Sequence, residues 1–253
     1  MRLNITLLIA FLFTLNFSLH AQDDPYLLFN EGNEAYKNEE LSKAIDLYNQ
    51  VAALDLESWE LYYNLGNAYF KSGQIPEAIL SYEKARKLNP SNEDLLVNLE
   101  IANLKTVDKV EAKPELPFES WWKELLNTFT IDEWAKASIY LSLLSFLFMI
   151  AFLLSKKIVK RIAFFTALFV FLLSTVFYYL GNRQKALQVN QKYGIVFAPS
   201  VTVKSEPEDD GTRLFVIHEG TKLEVIKDEG EWSQVSLMNG NKGWVKSEVF
   251  KGI

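Results

Sequence analysis

The sequence contains no cysteine and only two histidines, His20 and His218. The first absence removes disulfides, thiol nucleophiles and thiolate metal sites together. The second removes a histidine-rich metal centre, because His20 lies at the end of the N-terminal apolar run. His218 precedes Glu219-Gly220 and reads as a turn residue that hydrogen-bonds locally, with ligand contact as the alternative. No glycine-rich loop has phosphate-binding spacing, which argues against nucleotide use. The acidic stretch Glu206, Glu208, Asp209 and Asp210 lacks the ordered ligand spacing of a calcium loop and reads as a solvated surface. Lysine and arginine do not cluster outside one short loop, so no nucleic-acid face is expected. The composition thus points to a non-enzyme, with no catalytic residues, no cofactor and no metal site.

What the chain has instead is two long apolar arms. The first runs over Ala135–Leu154 and the second over Ile162–Leu180. Each has about 20 residues, the length an α-helix needs to cross a hydrocarbon core of ~30 Å. Past the flanking Lys136, neither arm carries a charge, and a charge at bilayer depth is costly. The connecting segment Ser155–Arg161 holds Lys156, Lys157, Lys160 and Arg161. So basic a loop is expected to stay cytoplasmic, which sends residues on both flanks to the opposite side. The formal charge of -6 averages this positive loop with acidic flanking regions.

Residues 1–21 read as an export signal, with Arg2 at the positive end, an apolar stretch, and Ala21 before the expected cut. An internal repeat follows. Leu28/Tyr62, Gly32/Gly66, Asn33/Asn67, Ala44/Ala78, Ile45/Ile79 and Tyr48/Tyr82 all pair at a spacing of 34. The second copy carries Tyr62, Leu65, Gly66, Tyr69, Gly73, Ala78, Tyr82, Ala85 and Pro90, the pattern of a tetratricopeptide repeat. The first copy departs from it, with Glu39 at the glycine position and Leu56 at the proline position. Leu95, Leu96, Leu99, Ile101 and Leu104 give Asn92–Val107 a helical apolar face. That helix is expected to cap a two-repeat domain over 22–108. Asn33, Tyr63, Asn64, Asn67 and Lys71 are the candidate partner-binding residues, because first helices line the inner face of such repeats. Tyr63 is not a packing position of its repeat, and an asparagine amide both donates to and accepts from a peptide backbone.

Residues 109–134 read as a linker. Within it Phe118, Trp121, Trp122, Leu125, Leu126 and Phe129 form one stripe of an interfacial amphipathic helix. Residues 181–193 are expected to be a stem, either a short helix or an extended segment. The last segment, 194–253, changes to short β-type runs at Gly194–Phe197, Val201–Lys204, Lys222–Lys227, Trp232–Leu237 and Gly243–Lys246, separated by turn signals. Val201-Thr-Val-Lys-Ser, Gly220-Thr-Lys-Leu, Gly230-Glu-Trp-Ser-Gln-Val and Gly243-Trp-Val resemble the bacterial SH3-like domain. A small closed barrel is therefore expected. Trp232 and Trp244 would lie into or over it and complete the set of candidate binding residues.

The expected fold class is a multidomain membrane protein. It joins an all-α tetratricopeptide domain, a two-helix transmembrane hairpin (135–154 and 162–180 about the loop 155–161) and a C-terminal all-β SH3-like barrel. Taken in this order, and with the stretches Asn98-Leu-Glu-Ile-Ala-Asn-Leu-Lys-Thr-Val-Asp-Lys and Val201-Thr-Val-Lys-Ser-Glu-Pro, the chain resembles the BatE-type family, the tetratricopeptide proteins of the Bacteroides-type aerotolerance operon. The resemblance implies an inner-membrane scaffold with both soluble domains periplasmic. Its implied partners are von Willebrand A-type membrane proteins, in turn associated with a MoxR-type ATPase. A peptidoglycan-binding envelope sensor is the alternative function.

Overall fold

The computed structural model describes residues 24–54, 56–110, 113, 116–190 and 192–253. The expected export signal lies outside the described residues. The chain divides into two compact units, Met1–Leu56 and Glu57–Ile253.

The first unit holds α1 (Pro25–Lys37) and α2 (Leu41–Ala52). Asp24 starts α1 by accepting the Tyr26 N–H, and Pro25 occupies the first turn, where no N–H is missed. Leu28, Gly32 and Ala35 face Ala44, Tyr48 and Val51 across the helix pair. Gly32 has to be glycine, since a Cβ there would lie 2.6 Å from the Tyr48 ring. The Tyr48 hydroxyl donates to Asn33 Oδ1 at 2.8 Å. Burial, and next to it the Tyr36 phenol, pushes Tyr48 up to about 12.

The second unit opens with α3 (Trp59–Lys71) and α4 (Ile75–Leu88), which repeat these contacts. A Cβ on Gly66 would lie 2.5 Å from the Tyr82 ring, and Tyr82 donates to Asn67 Oδ1 at 2.8 Å. Both helix pairs turn through one residue in the left-handed region, Gly73 at φ 82° and Glu39 at φ 63°. Both turns close with matching bonds, Glu40 N–H to Ala35 O and Gln74 N–H to Tyr69 O, each 2.9 Å. The left-handed conformation costs a residue with a Cβ about 1–2 kcal/mol. Glu39→Gly is therefore expected to raise the melting temperature, and Gly73→Ala, which meets no atom within 4 Å, to lower it. Equal melting temperatures for both variants and the parent would contradict the shared turn geometry.

Asn92 caps α5 (Glu93–Asn103) by accepting the Leu95 N–H. Leu95, Leu99 and Ala102 are buried, while Leu96, Ile101 and Leu104 of the anticipated apolar face are exposed. α6 (Pro117–Asn127) leads to α7 (Ile131–Leu154) and α8 (Lys157–Asn190), an antiparallel helical hairpin. Thr130 and Glu133 form a reciprocal cap at the start of α7. Small residues fill the hairpin seam: Ser138 and Ser145 on α7, and Ala163, Ala167, Ser174 and Gly181 on α8. Spacings of four and seven keep these residues on facing stripes. Ser145 donates to Ala167 O and Ser174 to Ser138 O, both at 2.9 Å across the seam.

At the base of the hairpin Trp134, Leu126 and Leu180 are buried together, with Trp122 and Leu125 against them. The Trp134 indole donates to Leu126 O at 3.2 Å. The aromatic stripe of α6 is thus divided, for Phe118 and Trp121 remain exposed. α8 does not stop where its apolar run ends. It extends over 34 residues, about 50 Å at ~1.5 Å per residue, so the anticipated stem is a continuation of this helix as far as Asn190.

Seven antiparallel strands follow: β1 (Lys192–Val196), β2 (Ser200–Lys204), β3 (Arg213–His218), β4 (Lys222–Glu229), β5 (Trp232–Leu237), β6 (Lys242–Lys246) and β7 (Phe250–Gly252). Their order is β3-β2-β6-β5-β4-β1-β7. The expected closed barrel is therefore wrong. β3 and β7 form the two ends of one open sheet, with no ladder between them. β2 meets β6 through the single register pair Lys204↔Trp244. Irregularities at Val203/Lys204 and Val225/Lys227 bend the sheet. The bending lets Val203, Ile217, Leu223, Val235 and Val245 share one core, which does not require strand pairing all the way round.

Candidate functional site

Three surfaces of the second unit carry the residue types of interest. The first lies on the repeat. The Tyr63 ring sits 6.2 Å from each of the Trp59 and Tyr82 rings, so it is not spared from packing. Asn98 on α5 donates to the Tyr63 hydroxyl at 3.1 Å and to Asn67 Oδ1 at 2.9 Å. Tyr63, Asn67, Tyr82 and Asn98 thereby form one polar network linking α3, α4 and α5. Tyr63, Asn67 and Asn98 stay half-buried, as does Asn64, and Lys71 at the end of α3 is exposed. Asn33 belongs to the first unit, where it plays toward Tyr48 the part that Asn67 plays toward Tyr82. Asn98 was not singled out from the sequence. Its place three residues after Leu95, on the flank of the buried stripe, was the available signal.

The second surface is the sheet face opposite the core. Cross-strand partners point to the same side. The pairs Trp232↔Lys246 and Gln234↔Trp244, with Lys204↔Trp244, therefore put both tryptophans and both lysines on one face. Lys204 Nζ lies 5.2 Å and Lys246 Nζ 5.7 Å from the Trp232 ring centre. Trp232 is half-buried, and Trp244 is largely covered. The acidic loop is not simply solvated. Asp209 reaches Lys246 at 3.2 Å and Lys204 at 3.9 Å, and Lys204 also donates to the Asp209 carbonyl.

The third surface joins repeat to sheet. Asp108, just past α5, accepts the His218 backbone N–H at 2.6 Å, the His218 Nδ1–H at 2.9 Å and the Thr221 hydroxyl at 2.6 Å. The His218 ring therefore bonds a residue 110 positions away, while its carbonyl accepts the Thr221 N–H at 3.2 Å across the expected turn. Partial burial alone would push the Asp108 carboxyl up. The hydrogen bonds from Thr221 and His218 outweigh it and hold the group below the usual carboxylate range. Beside this clasp, Glu83 of α4 receives Lys222 at 2.8 Å and Arg86 at 2.6 Å, and the Glu83 side chain is only 5% exposed. Burial holds Lys222 below the usual lysine range; the Glu83 carboxylate opposes this, and Arg86 adds to it. Among the described residues, no three histidine, aspartate or glutamate side chains converge on a metal-sized site.

Paired helices with glycine-to-tyrosine contacts, followed by a bent β-domain, define a protein built of interaction modules. Residues 59–92 match the tetratricopeptide repeat family, residues 32–73 match a TPR repeat family, and residues 199–251 match the bacterial SH3 domain family. The chain therefore carries a tetratricopeptide-repeat region and a bacterial SH3-like domain. Both are non-catalytic interaction modules, consistent with a protein–protein interaction role and with a non-enzymatic protein. Comparison with curated proteins gives no match.

Proposed function

We propose that the chain is a membrane-anchored scaffold that presents its repeat and its SH3-like domain on the same side of the bilayer. The observation that carries this reading is where the hairpin puts its apolar side chains. In the most apolar stretches of Ile131–Leu154 and Lys157–Gln188, only 11% and 22% of residues are buried. Leu143, Phe146, Leu147, Phe165, Phe169 and Leu172 all point outward. Such a surface is far larger than a soluble monomer leaves in water, and the seam inside it is made of small residues, as in membrane helix pairs. The positive loop Lys156–Arg161 favours the cytoplasmic side for the hairpin turn, hence an extracytoplasmic, periplasmic location for both domains. Alkaline carbonate washing of membranes from expressing cells tests the anchor. The chain is expected in the pellet, and release into the supernatant would contradict it.

Binding is proposed to run through the Tyr63, Asn64, Asn67 and Lys71 side of α3, with Asn33 as the matching residue of the first unit. The resemblance to the aerotolerance-operon family makes von Willebrand A-type membrane proteins, with their MoxR-type ATPase, the first partners to test by crosslinking in the native membrane. Peptidoglycan is the second reading, favoured by Lys204 and Lys246 beside Trp232, a setting suited to the carboxylates of wall peptides. If it holds, the Lys204→Gln, Lys246→Gln double variant should lose retention on purified cell-wall sacculi about 30-fold, as two charge-assisted contacts of about 1 kcal/mol each imply. Equal retention of variant and parent would remove this reading.

A further inference from the structure

We propose that the outward face of α5 pairs with the same face of a second copy of the chain, as two antiparallel helices about a two-fold axis near Ile101. The helix that ends a repeat stack is expected to turn a polar outer face to water. α5 does not. Leu95, Leu99 and Ala102 are buried against α4 and α3. Two residues further on, about 200° round the helix at ~100° per residue, Val97, Ile101 and Leu104 repeat the same i, i+4, i+7 spacing. These three are 53%, 41% and 65% exposed. A second apolar stripe, opposite the buried one, has the pattern of a helix–helix seam.

Charge identifies the occupant. Glu93 and Asp94 stand at the N-terminal end of α5, and Lys105 and Lys109 follow its C-terminal end, all four exposed. No ion pair engages any of them among the described residues. Lys109 donates to the Leu104 and Thr106 carbonyls at 2.8 Å each, which are neutral and leave its charge at that end. An antiparallel copy sets the acidic end of each helix against the basic end of the other, and two-fold symmetry makes that match twice. Asp94 and Lys105 share one flank of the stripe, so Asp94 of one copy meets Lys105 of the other. Val97 then meets Leu104, and Ile101 meets Ile101. The opposed helix dipoles favour the same arrangement, whereas a parallel pair would bring like charges together. Glu100, on the other flank, comes near its own copy and works against the pair. Three side chains per copy cover less than the ~800 Å² per partner of a stable interface. The pairing therefore relies on two copies sharing one bilayer, which raises their effective concentration, and so rests on the membrane reading above.

The test is a single Ile101→Cys in the full, otherwise cysteine-free chain, treated with a short bis-maleimide in membranes of expressing cells. A species of twice the chain mass is expected. Glu206→Cys, exposed on the acidic loop, should give far less of it. Equal yields from the two positions would overturn the seam, and an Ile101→Cys adduct with a different protein would overturn the second copy as occupant. Asp94→Lys added to Ile101→Cys should lower the yield about 5-fold, as the loss of two exposed ion pairs of ~0.5 kcal/mol each implies. Lys105→Asp added to that variant should restore the yield, which simple damage to the helix would not allow. Glu100→Gln should raise it. A yield indifferent to Asp94→Lys, or not rescued by the swapped pair, would overturn the antiparallel arrangement. Carbonate washing separates this pairing from the membrane reading. A chain that stays with membranes yet forms no dimer refutes only the pair, whereas one released by alkali that still crosslinks refutes only the anchor.

Discussion

Glu83→Gln is expected to destabilise the protein by about 3–5 kcal/mol, the cost of leaving a buried charge without its partner. Lys222 is 14% exposed and Glu83 5%, so solvent offers the ammonium little relief. For a chain of this size the loss corresponds to a melting temperature lower by roughly 6–20 °C. The sign with pH follows from the depressed Lys222. A lysine whose folded value lies below its unfolded value penalises the fold at low pH, and the penalty fades as pH rises toward the unfolded value of 10.5. The gap between variant and parent should therefore narrow between pH 7 and pH 10. Lys222→Met added to Glu83→Gln should recover most of the loss, because the unpaired charge is then gone. Thermal melting of the detergent-solubilised chain, followed by tryptophan fluorescence, reads all three variants. A Glu83→Gln protein that melts with the parent at pH 7 would mean that Lys222 is solvated and the pair is not buried.

The second large effect is at Asp108. Asp108→Ala removes three acceptor contacts and strands the His218 N–H and the Thr221 hydroxyl. With hydrogen bonds to charged groups worth about 1.5–3 kcal/mol each and not additive, a loss of about 3 kcal/mol is expected. The segment after α5 should then peel from the sheet, so trypsin should cut after Lys109 far faster than in the parent. Acid should mimic the variant. The Asp108 carboxyl lies below its ordinary 3.8, so its contribution is complete above that value and is lost as pH falls through the lower folded value. A cleavage rate unchanged by Asp108→Ala would show that the clasp does not hold the segment.

Neither of these two contacts is signalled by the residues around it. The repeat was legible because its packing is local and periodic. Gly32 meets Tyr48, and Gly66 meets Tyr82, at the same spacing within each helix pair. The two long helices were legible because each apolar run is continuous and free of helix breakers over the length of one helix. Asp108 looked like the start of a charged linker and His218 like a turn residue, since nothing in either neighbourhood signals a partner 110 residues away. Lys222 stands in Gly-Thr-Lys-Leu, which reads as an ordinary strand entry, and only the fold brings Glu83 against it. In the last domain β3 was missed because Leu214-Phe-Val-Ile is a continuous apolar run, without the alternation that marks a half-buried strand. Barrel closure failed for a related reason. Short alternating strands specify which face is inside, but whether the first and last strands pair depends on bends at Val203/Lys204 and Val225/Lys227 that residue type does not announce. Tyr63 was singled out as spared from packing, and the ring contacts with Trp59 and Tyr82 show that one ring both packs and stays half-exposed.

The central claim, a membrane hairpin with both interaction modules on one side, has a direct test because the chain has no cysteine of its own. Single cysteines placed by Glu31→Cys, Lys156→Cys and Glu206→Cys report on the repeat, the hairpin turn and the SH3-like domain. All three positions are exposed. A membrane-impermeant maleimide added to spheroplasts should label the first and third variants and leave Lys156→Cys unlabelled until the membrane is permeabilised. Labelling of Lys156→Cys alone, or equal labelling of all three before permeabilisation, would contradict the proposed arrangement.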